Sequence, residues 1–557
     1  MDVTNQNFIT ILPEIVDEVT RCDFVAIDTE MSGLLRQRSS NRFDLPSERF
    51  AKVVESSRGY FIMQFGLSCF TRVRRSEGQN YKNRTYNFYI FPQAQERYGD
   101  MNRTFSIEAH AIQFLTAHNF DFNKLFKLGV SYLTFEEKKI LNSQIKHERK
   151  ARAKVELNSN NLPKFVPKPM VDDCHTLISK VSTFVKEKRK LATGASDTSD
   201  TELVLKGYSN HHKRNIFRRV LEQGDMARNL EVRDKYDPES NETFLVIKYI
   251  DENEKELKQA HAITNALGFF EVLEKVIAYK KPIVGHNLFL DLIQIVNQFI
   301  EPLSDDYSSF KETVHSLFPY IYDTKYVAHS ILEAETLTKN QSRLEDLYAQ
   351  LRDGKEFPRI NIEHLGEFVD ENQAPHQAGY DAYMSGYCFI VLCESYLREL
   401  RKVNKEKLSA DDLPPLELNE IILEEFANKI HLSYSHDFKC YELNGEEFEP
   451  CRNHVFYVEH PETWVLDDLF QIFYQYGGVD VSKLSKTRAL CALRRPTPGN
   501  VQSVLNGLCK KSSFNYKIYS YQTYIEEHKN KKRDKRKAPS LTESNDEDMD
   551  DIEADMS

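Results

Sequence analysis

The sequence predicts an α/β chain in three folded parts: a large α/β domain, a small α/β insertion that splits it, and a C-terminal α+β domain. Three observations predict this. Strand-like apolar runs alternate with helix-period segments through residues 1–165 and 246–405. A short basic α/β texture occupies 166–245, and the segment 428–525 reads β-α-β-β-α-β. A chain of 557 residues exceeds one ordinary core, and its 40% apolar content, rich in Phe and Tyr, is ample for several.

In chain order, "FVAIDTE" (24–30) reads as a buried strand. "YFIMQFGLSCF" (60–70) and "TYNFYIFP" (85–92), rich in aromatic and β-branched residues, read as two more. "IEAHAIQFLTAHNFDFNKLF" (107–126) and "FEEKKILNSQIKHERKARAKVEL" (135–157) have helical spacing, and the Asn- and Pro-rich 158–169 is a linker. The insertion offers a helix-like "VDDCHTLISKVSTFVKEKRK", a basic "KGYSNHHKRNIFRRVLEQ" and a strand-like "ETFLVIKYI". Then come a helix over 261–280, the strand and turn "KPIVGHN", a helix over 288–300 and a long amphipathic helix over 379–400. "DDLPP" (411–415) marks a boundary, and 526–557 has the composition of a disordered tail.

Composition excludes some classes. The nine cysteines are scattered, with no C-x-x-C, which argues against a disulfide framework or a zinc site. The N-terminus is acidic and lacks the layout of a signal peptide, and no apolar run suffices for a membrane anchor, so the expected protein is soluble and intracellular. Eight acids in the last seventeen residues account for most of the net charge of −11, leaving −3 on residues 1–540. Local basic patches therefore matter more than the total.

The chemistry is carried by carboxylates. Asp28 and Glu30 lie two apart at the end of a strand, on one face, where like charges repel unless a cation intervenes. Alone, such a pair reads as two solvated acids. Asp291 follows another strand and a Gly285-His286-Asn287 turn among leucines, where an ionised acid needs a partner. "APHQAGYDAYMSGYCF" adds His376 and, five residues on, Asp381, with small residues beside them that permit close approach. Four carboxylates can hold two Mg²⁺ ions roughly 4 Å apart, the separation used for in-line phosphoryl displacement. His376, with a reference pKa near 6.5, is placed to take a proton from water.

Asp-x-Glu, a distant Asp after Gly-His-Asn, and His-x4-Asp in this order resemble the DEDD exonuclease superfamily, in its histidine-bearing branch. "FVAIDTEMSGL", "YNFYIFPQ", "HNFDFNKLFKLGVSYLTFEE", "VGHNLFLDLIQIVNQFIEPL", "FPYIYDTKYVA" and "HQAGYDAYMSGYCFI" are similar to the poly(A)-specific ribonuclease family and its relatives that trim small RNAs. The resemblance implies an RNase H-like nuclease core, metal ligation by Asp28, Glu30, Asp291 and Asp381, a catalytic His376, a substrate-contacting Lys325, and a homodimer. It implies 3′→5′ removal of tails from single-stranded RNA, with dedicated trimming of Piwi-associated or other small RNAs as the alternative. A catalytically inactive RNA- or cap-binding scaffold and a DNA exonuclease are the other classes.

The same resemblance makes the insertion an Arg-x-x-x-His-type nucleic-acid-binding domain, with Lys213 and Phe217 where Arg and His are expected. Lys206, Lys213, Arg214, Arg218 and Arg219 still form a basic patch able to meet phosphates or simply a solvated face. The C-terminal domain is RNA-recognition-like, but its third strand, "TRALCALRRP", lacks stacking aromatics. Phe456 and Tyr457 could offer a ring. Trp464, the only tryptophan, falls where the family stacks a 5′ cap; otherwise it packs its helix. The basic run 528–537 reads as a nuclear-import signal or an RNA contact.

Overall fold

The computed structural model describes residues 1–34, 40–73, 80–93, 103–154, 162–163, 165–192, 202–205, 210–222, 227, 229–238, 240–332, 343–366, 376–403, 424–509 and 515–526. Lys206, the "DDLPP" boundary, the basic run 528–537 and the tail from 527 onward lie outside the described residues, as do parts of the 158–169 linker.

Among the described residues, one large mixed sheet organises the N-terminal unit. Across it the strands run Asp2–Val3, Asn80–Tyr89, Ile62–Val73, Phe24–Met31, Ile283–Gly285, Ile321–Asp323, Lys429–His431 and Cys440–Glu442. Asn361–His364 also pairs with Asn80–Tyr89. Phe24–Met31, Ile283–Gly285, Ile321–Asp323 and Lys429–His431 form a parallel run, so their C-terminal ends share one edge. Such an edge is where open α/β sheets hold ligands. The strands Lys429–His431 and Cys440–Glu442, assigned from the sequence to the C-terminal domain, instead extend this sheet through the Lys429–Tyr322 pairing.

The helix Ala378–Val403 packs across the sheet, and its apolar stripe explains why. Phe389 meets Phe24 edge-on with centroids 5.4 Å apart, and Phe24 stacks on Phe70 at 4.9 Å. Ile390, Val391, Leu392 and Cys393 are buried in the same core. Two helices expected to be continuous are each broken. Gly268, at φ +50°, separates Glu252–Leu267 from Phe269–Ala278; a side chain there would overlap the Ser131 carbonyl. Asn119, at φ 61°, lies in the break between Ala109–Ala117 and Phe122–Leu128.

The insertion forms a three-stranded antiparallel sheet, with Glu242–Tyr249 between Glu202–Leu205 and Leu230–Asp237, together with the helices Val171–Ala192 and His211–Leu221. Its core gathers Cys174, Leu177, Val181, Phe217, Val220 and Leu245.

The second unit comprises Gln37–Lys52, Leu432–Lys439 and Glu446–Ser557. Its antiparallel sheet has the order Val479–Ser485, Arg488–Leu493, Val455–Glu459, Lys517–Ser520, with helices Leu466–Phe473 and Pro498–Val504. This is the arrangement expected of a β-α-β-β-α-β chain. Phe456 is buried on the helix side, and Tyr457 on the other face with Phe43, Leu490 and Tyr519, Tyr521 and Tyr524 against it. Neither ring is available to stack on a base, because both sheet faces are covered at these positions.

Candidate active site

The strand Phe24–Met31 buries Phe24 through Ile27, after which Asp28 and Glu30 emerge half-buried from a rigid support. Asp28 pairs with Gly66 and Glu30 with Gln64, and the register shifts immediately after Glu30. A shift of that kind re-aims the side chains at a strand end.

Asp381 reaches this place because the N-terminus of the Ala378–Val403 helix sits directly on the sheet. A side chain at Gly66 would overlap the Ala378 carbonyl, so only glycine permits the approach. The Ala378 N–H donates to Gln64 Oε1 (3.0 Å) and the Gly379 N–H to Asn87 Oδ1 (3.1 Å). These side chains satisfy helix N–H groups that have no partner within the helix. Asn87, which pairs with Gly66, is itself held by a 3.0 Å bond to Asp2 Oδ1.

Asp28, Glu30 and Asp381 each present an oxygen within 4.8 Å of the others. Burial, followed by Asp381, Asp291 and Glu30, pushes the Asp28 carboxyl well up. Burial, then Asp381 and Asp291, does the same to Glu30. Burial and Glu345 raise Asp381, against a bond from the His376 backbone N–H. Among the described residues, Asp381 Oδ1 is buried without a hydrogen-bond partner. Asp291, also buried, lies outside this closest group; its Oδ1 accepts the Thr29 hydroxyl at 2.6 Å. Burial raises it to about 6, opposed by Thr29.

His376 occupies a positive-φ position (65°) two residues before the helix. Its ring meets His118 at 4.0 Å and Phe114 at 4.7 Å, both edge-on. Its Nε2 lies 3.8 Å from Glu345 Oε1. Burial, with His118, lowers its pKa, while Glu345 acts in the opposite direction. Glu345, in the first turn of the helix Leu344–Asp353, thus interacts with His376 and with the acids. Sequence reasoning passed over it, since an acid in a first helical turn has an ordinary explanation.

The family model described as "CAF1 family ribonuclease" matches residues 3–389. The chain belongs to the CAF1 ribonuclease family. A model described as "RNA binding domain" matches residues 445–527 of this CAF1-family chain. It is 29% identical to the poly(A)-specific ribonuclease PARN of Xenopus laevis over 96% of this chain and 83% of that protein. It is 30% identical to the pre-piRNA 3′-exonuclease trimmer of Bombyx mori over 94% of each. Against the poly(A)-specific ribonuclease PNLDC1 of Mus musculus it is 26% identical over 72% of each.

Elsewhere in this CAF1-family ribonuclease, Lys325 follows the strand Ile321–Asp323, and burial lowers its pKa. Asp323 is fully buried and gathers the backbone N–H groups of Asn287 (2.9 Å), Leu288 (3.3 Å), Lys325 (2.9 Å), Tyr326 (3.4 Å) and His431 (3.2 Å). It ties the turn before Asp291 to the helix Thr324–Ile331, which bears Lys325, and to the strand Lys429–His431. The insertion's basic residues are largely engaged within the protein. Arg214 and Arg218 pair with Asp234, Lys213 with Asp173, and Arg219 lies over the Phe165 ring at 4.1 Å. Phe217, where the motif would have histidine, is buried in the core. Trp464 is half-buried, parallel to His460 at 5.9 Å and 5.3 Å from Tyr516.

Proposed function

We propose that the chain is a magnesium-dependent 3′→5′ exoribonuclease that shortens single-stranded RNA tails, poly(A) among them, and releases nucleoside 5′-monophosphates. The observation that carries this is the meeting of Asp28, Glu30 and Asp381, drawn from segments far apart in the sequence, with oxygens within 4.8 Å. The donor set suits a hard cation: all oxygen, crowded, pushed toward protonation, with one buried carboxylate oxygen lacking a donor. Asp28, Glu30 and Asp381, completed by Asp291, would hold two magnesium ions. Bound there, the ions would activate water and offset charge developing on the leaving 3′ oxygen.

The chain's own residues perform the remaining work. His376, whose pKa burial and His118 lower, can accept a proton at a ring nitrogen. Glu345 lies where it can stabilise the resulting imidazolium. The strand and the seated helix hold the carboxylates in place, as a metal site requires.

A second reading, trimming of small-RNA 3′ ends, is favoured by the Bombyx mori relative, which matches over 94% of both chains. A 5′ cap at Trp464, a homodimer and residence in the cytoplasm or nucleus are further parts of the proposal. His460 and Tyr516 beside Trp464 support the first. All nine cysteines are free, which suits a reducing compartment, and no helix among the described residues is long and apolar enough to cross a membrane. Light scattering of the purified protein tests the dimer. Sequencing RNA 3′ ends in cells with and without the protein separates the two substrate readings: shortened A-tails favour deadenylation, and trimmed small-RNA ends favour the second.

A further inference from the structure

Extending the register of the parallel strands beyond their paired residues reveals a line of polar groups leading away from the acids. Phe24–Met31 pairs with Ile283–Gly285 at Val25–Ile283 and Ala26–Val284, which brings His286 level with Asp28. Ile283–Gly285 pairs with Ile321–Asp323 so that Thr324 is level with His286. The bond between His286 Nδ1 and Thr324 Oγ1, 2.9 Å, joins these two positions. The Tyr322–Lys429 pairing makes His431 level with Thr324. Asp28, His286, Thr324 and His431 thus lie level across four neighbouring strands, and at ~4.8 Å per strand the line spans about 14 Å.

Its far end is a nitrogen-rich shelf. His431 stacks on the exposed His329, centroids 4.5 Å apart and rings 12° from parallel. Burial, then His329, Lys325 and His286, hold His431 down to about 3, and the partial covering of its ring, with Lys325, lowers His329. The acid beneath them, Asp323, is already surrounded by five backbone N–H groups. Several donors crowded around one lysine suit an arriving anion.

We infer that His286, Lys325, His329 and His431 form a track for the phosphates of the RNA chain upstream of the scissile bond, with His329 and His431 as its outer subsite. An exonuclease that releases single nucleotides carries only the scissile phosphate on the leaving unit. Any further phosphate held by the enzyme therefore belongs to the upstream chain. This rests on the 3′→5′ reading above and extends it from the reaction centre to the path of the substrate.

The test is the dependence of kcat/KM on substrate length, measured on the full chain with Mg²⁺ and oligo(A) of two to five nucleotides. Hydrolysis of the dinucleotide by wild type checks the underlying reading separately. For wild type, kcat/KM rises with length. For His329→Ala and His431→Ala, the ratio of five- to two-nucleotide kcat/KM falls by about tenfold. His431→Gln, which keeps size and a donor, retains most of that ratio and guards against a folding defect. A five-nucleotide substrate with neutral methylphosphonates at its upstream linkages loses the gain on wild type. An unchanged ratio in both alanine variants overturns the track. A gain that survives the methylphosphonates overturns phosphate as its ligand.

Discussion

Gly66 faces Asp28 across neighbouring strands, and the carbonyl of Ala378 occupies the space a side chain at Gly66 would fill. The first acid of the site and the helix bearing the last one are therefore fitted together through a residue with no side chain.

Gly66→Ala is expected to unseat that helix. Overpacking of this kind costs about 1–3 kcal/mol. Activity should fall more steeply than stability, because Asp381 moves with the helix. Melting temperature and exonuclease rate, measured together, check this. Gln64→Ala leaves the Ala378 N–H without its partner and should act in the same direction, by about 1–3 kcal/mol.

Folding raises the pKa of Asp28, Glu30, Asp291 and Asp381. The folded metal-free chain holds protons that the unfolded chain has released, so their contribution to stability is present at low pH and lost as pH rises. For Asp291 the loss runs from 3.8 to about 6. Asp291→Asn should therefore raise the melting temperature of the metal-free protein at about pH 7.5 and leave it nearly unchanged at about pH 4. The Thr29 hydroxyl can still donate to the amide oxygen. With Mg²⁺ present the order at the higher pH should reverse, because the amide binds metal poorly.

Glu345→Gln is expected to lower kcat by about tenfold with little change in KM, as for a group that assists proton transfer by another. On a His376→Ala background the same substitution should have almost no further effect. A full additional loss in the double variant would mean that Glu345 acts elsewhere, and thermal melts would separate that from misfolding.

Trp464 is the only tryptophan in the chain, so its fluorescence reports one place. A 7-methylguanosine nucleotide should quench it, and unmethylated GTP should do so far less, since a cationic ring gains more from aromatic faces. Equal quenching by both would remove the cap from the account.

Much of the candidate site's geometry was legible in the sequence because its signals are local. Strand alternation puts Asp28 and Glu30 on one face, and small residues around Asp381 announce a close approach. The glycine and glutamine within the apolar run "MQFGL" carried a signal that went unread: polar and side-chain-free positions in a buried strand mark where another backbone arrives. Other features depend on what meets what. The level of Asp28, His286, Thr324 and His431 is set by pairing between strands far apart in sequence. The burial of Phe217 and the engagement of Arg214 and Arg218 with Asp234 follow from tertiary packing, which a basic periodic helix does not disclose. The breaks at Gly268 and Asn119 come from local left-handed or strained backbone that overrides continuous helical periodicity.

The central claim is that carboxylates drawn from distant parts of the chain form one metal-dependent nuclease site. Its most direct test is the fate of 5′-labelled single-stranded RNA incubated with the purified protein. A ladder shortening from the 3′ end with Mg²⁺, abolished by EDTA and by Asp28→Ala, is the predicted result. Equal shortening by wild type and Asp28→Ala, or activity indifferent to EDTA, would contradict it.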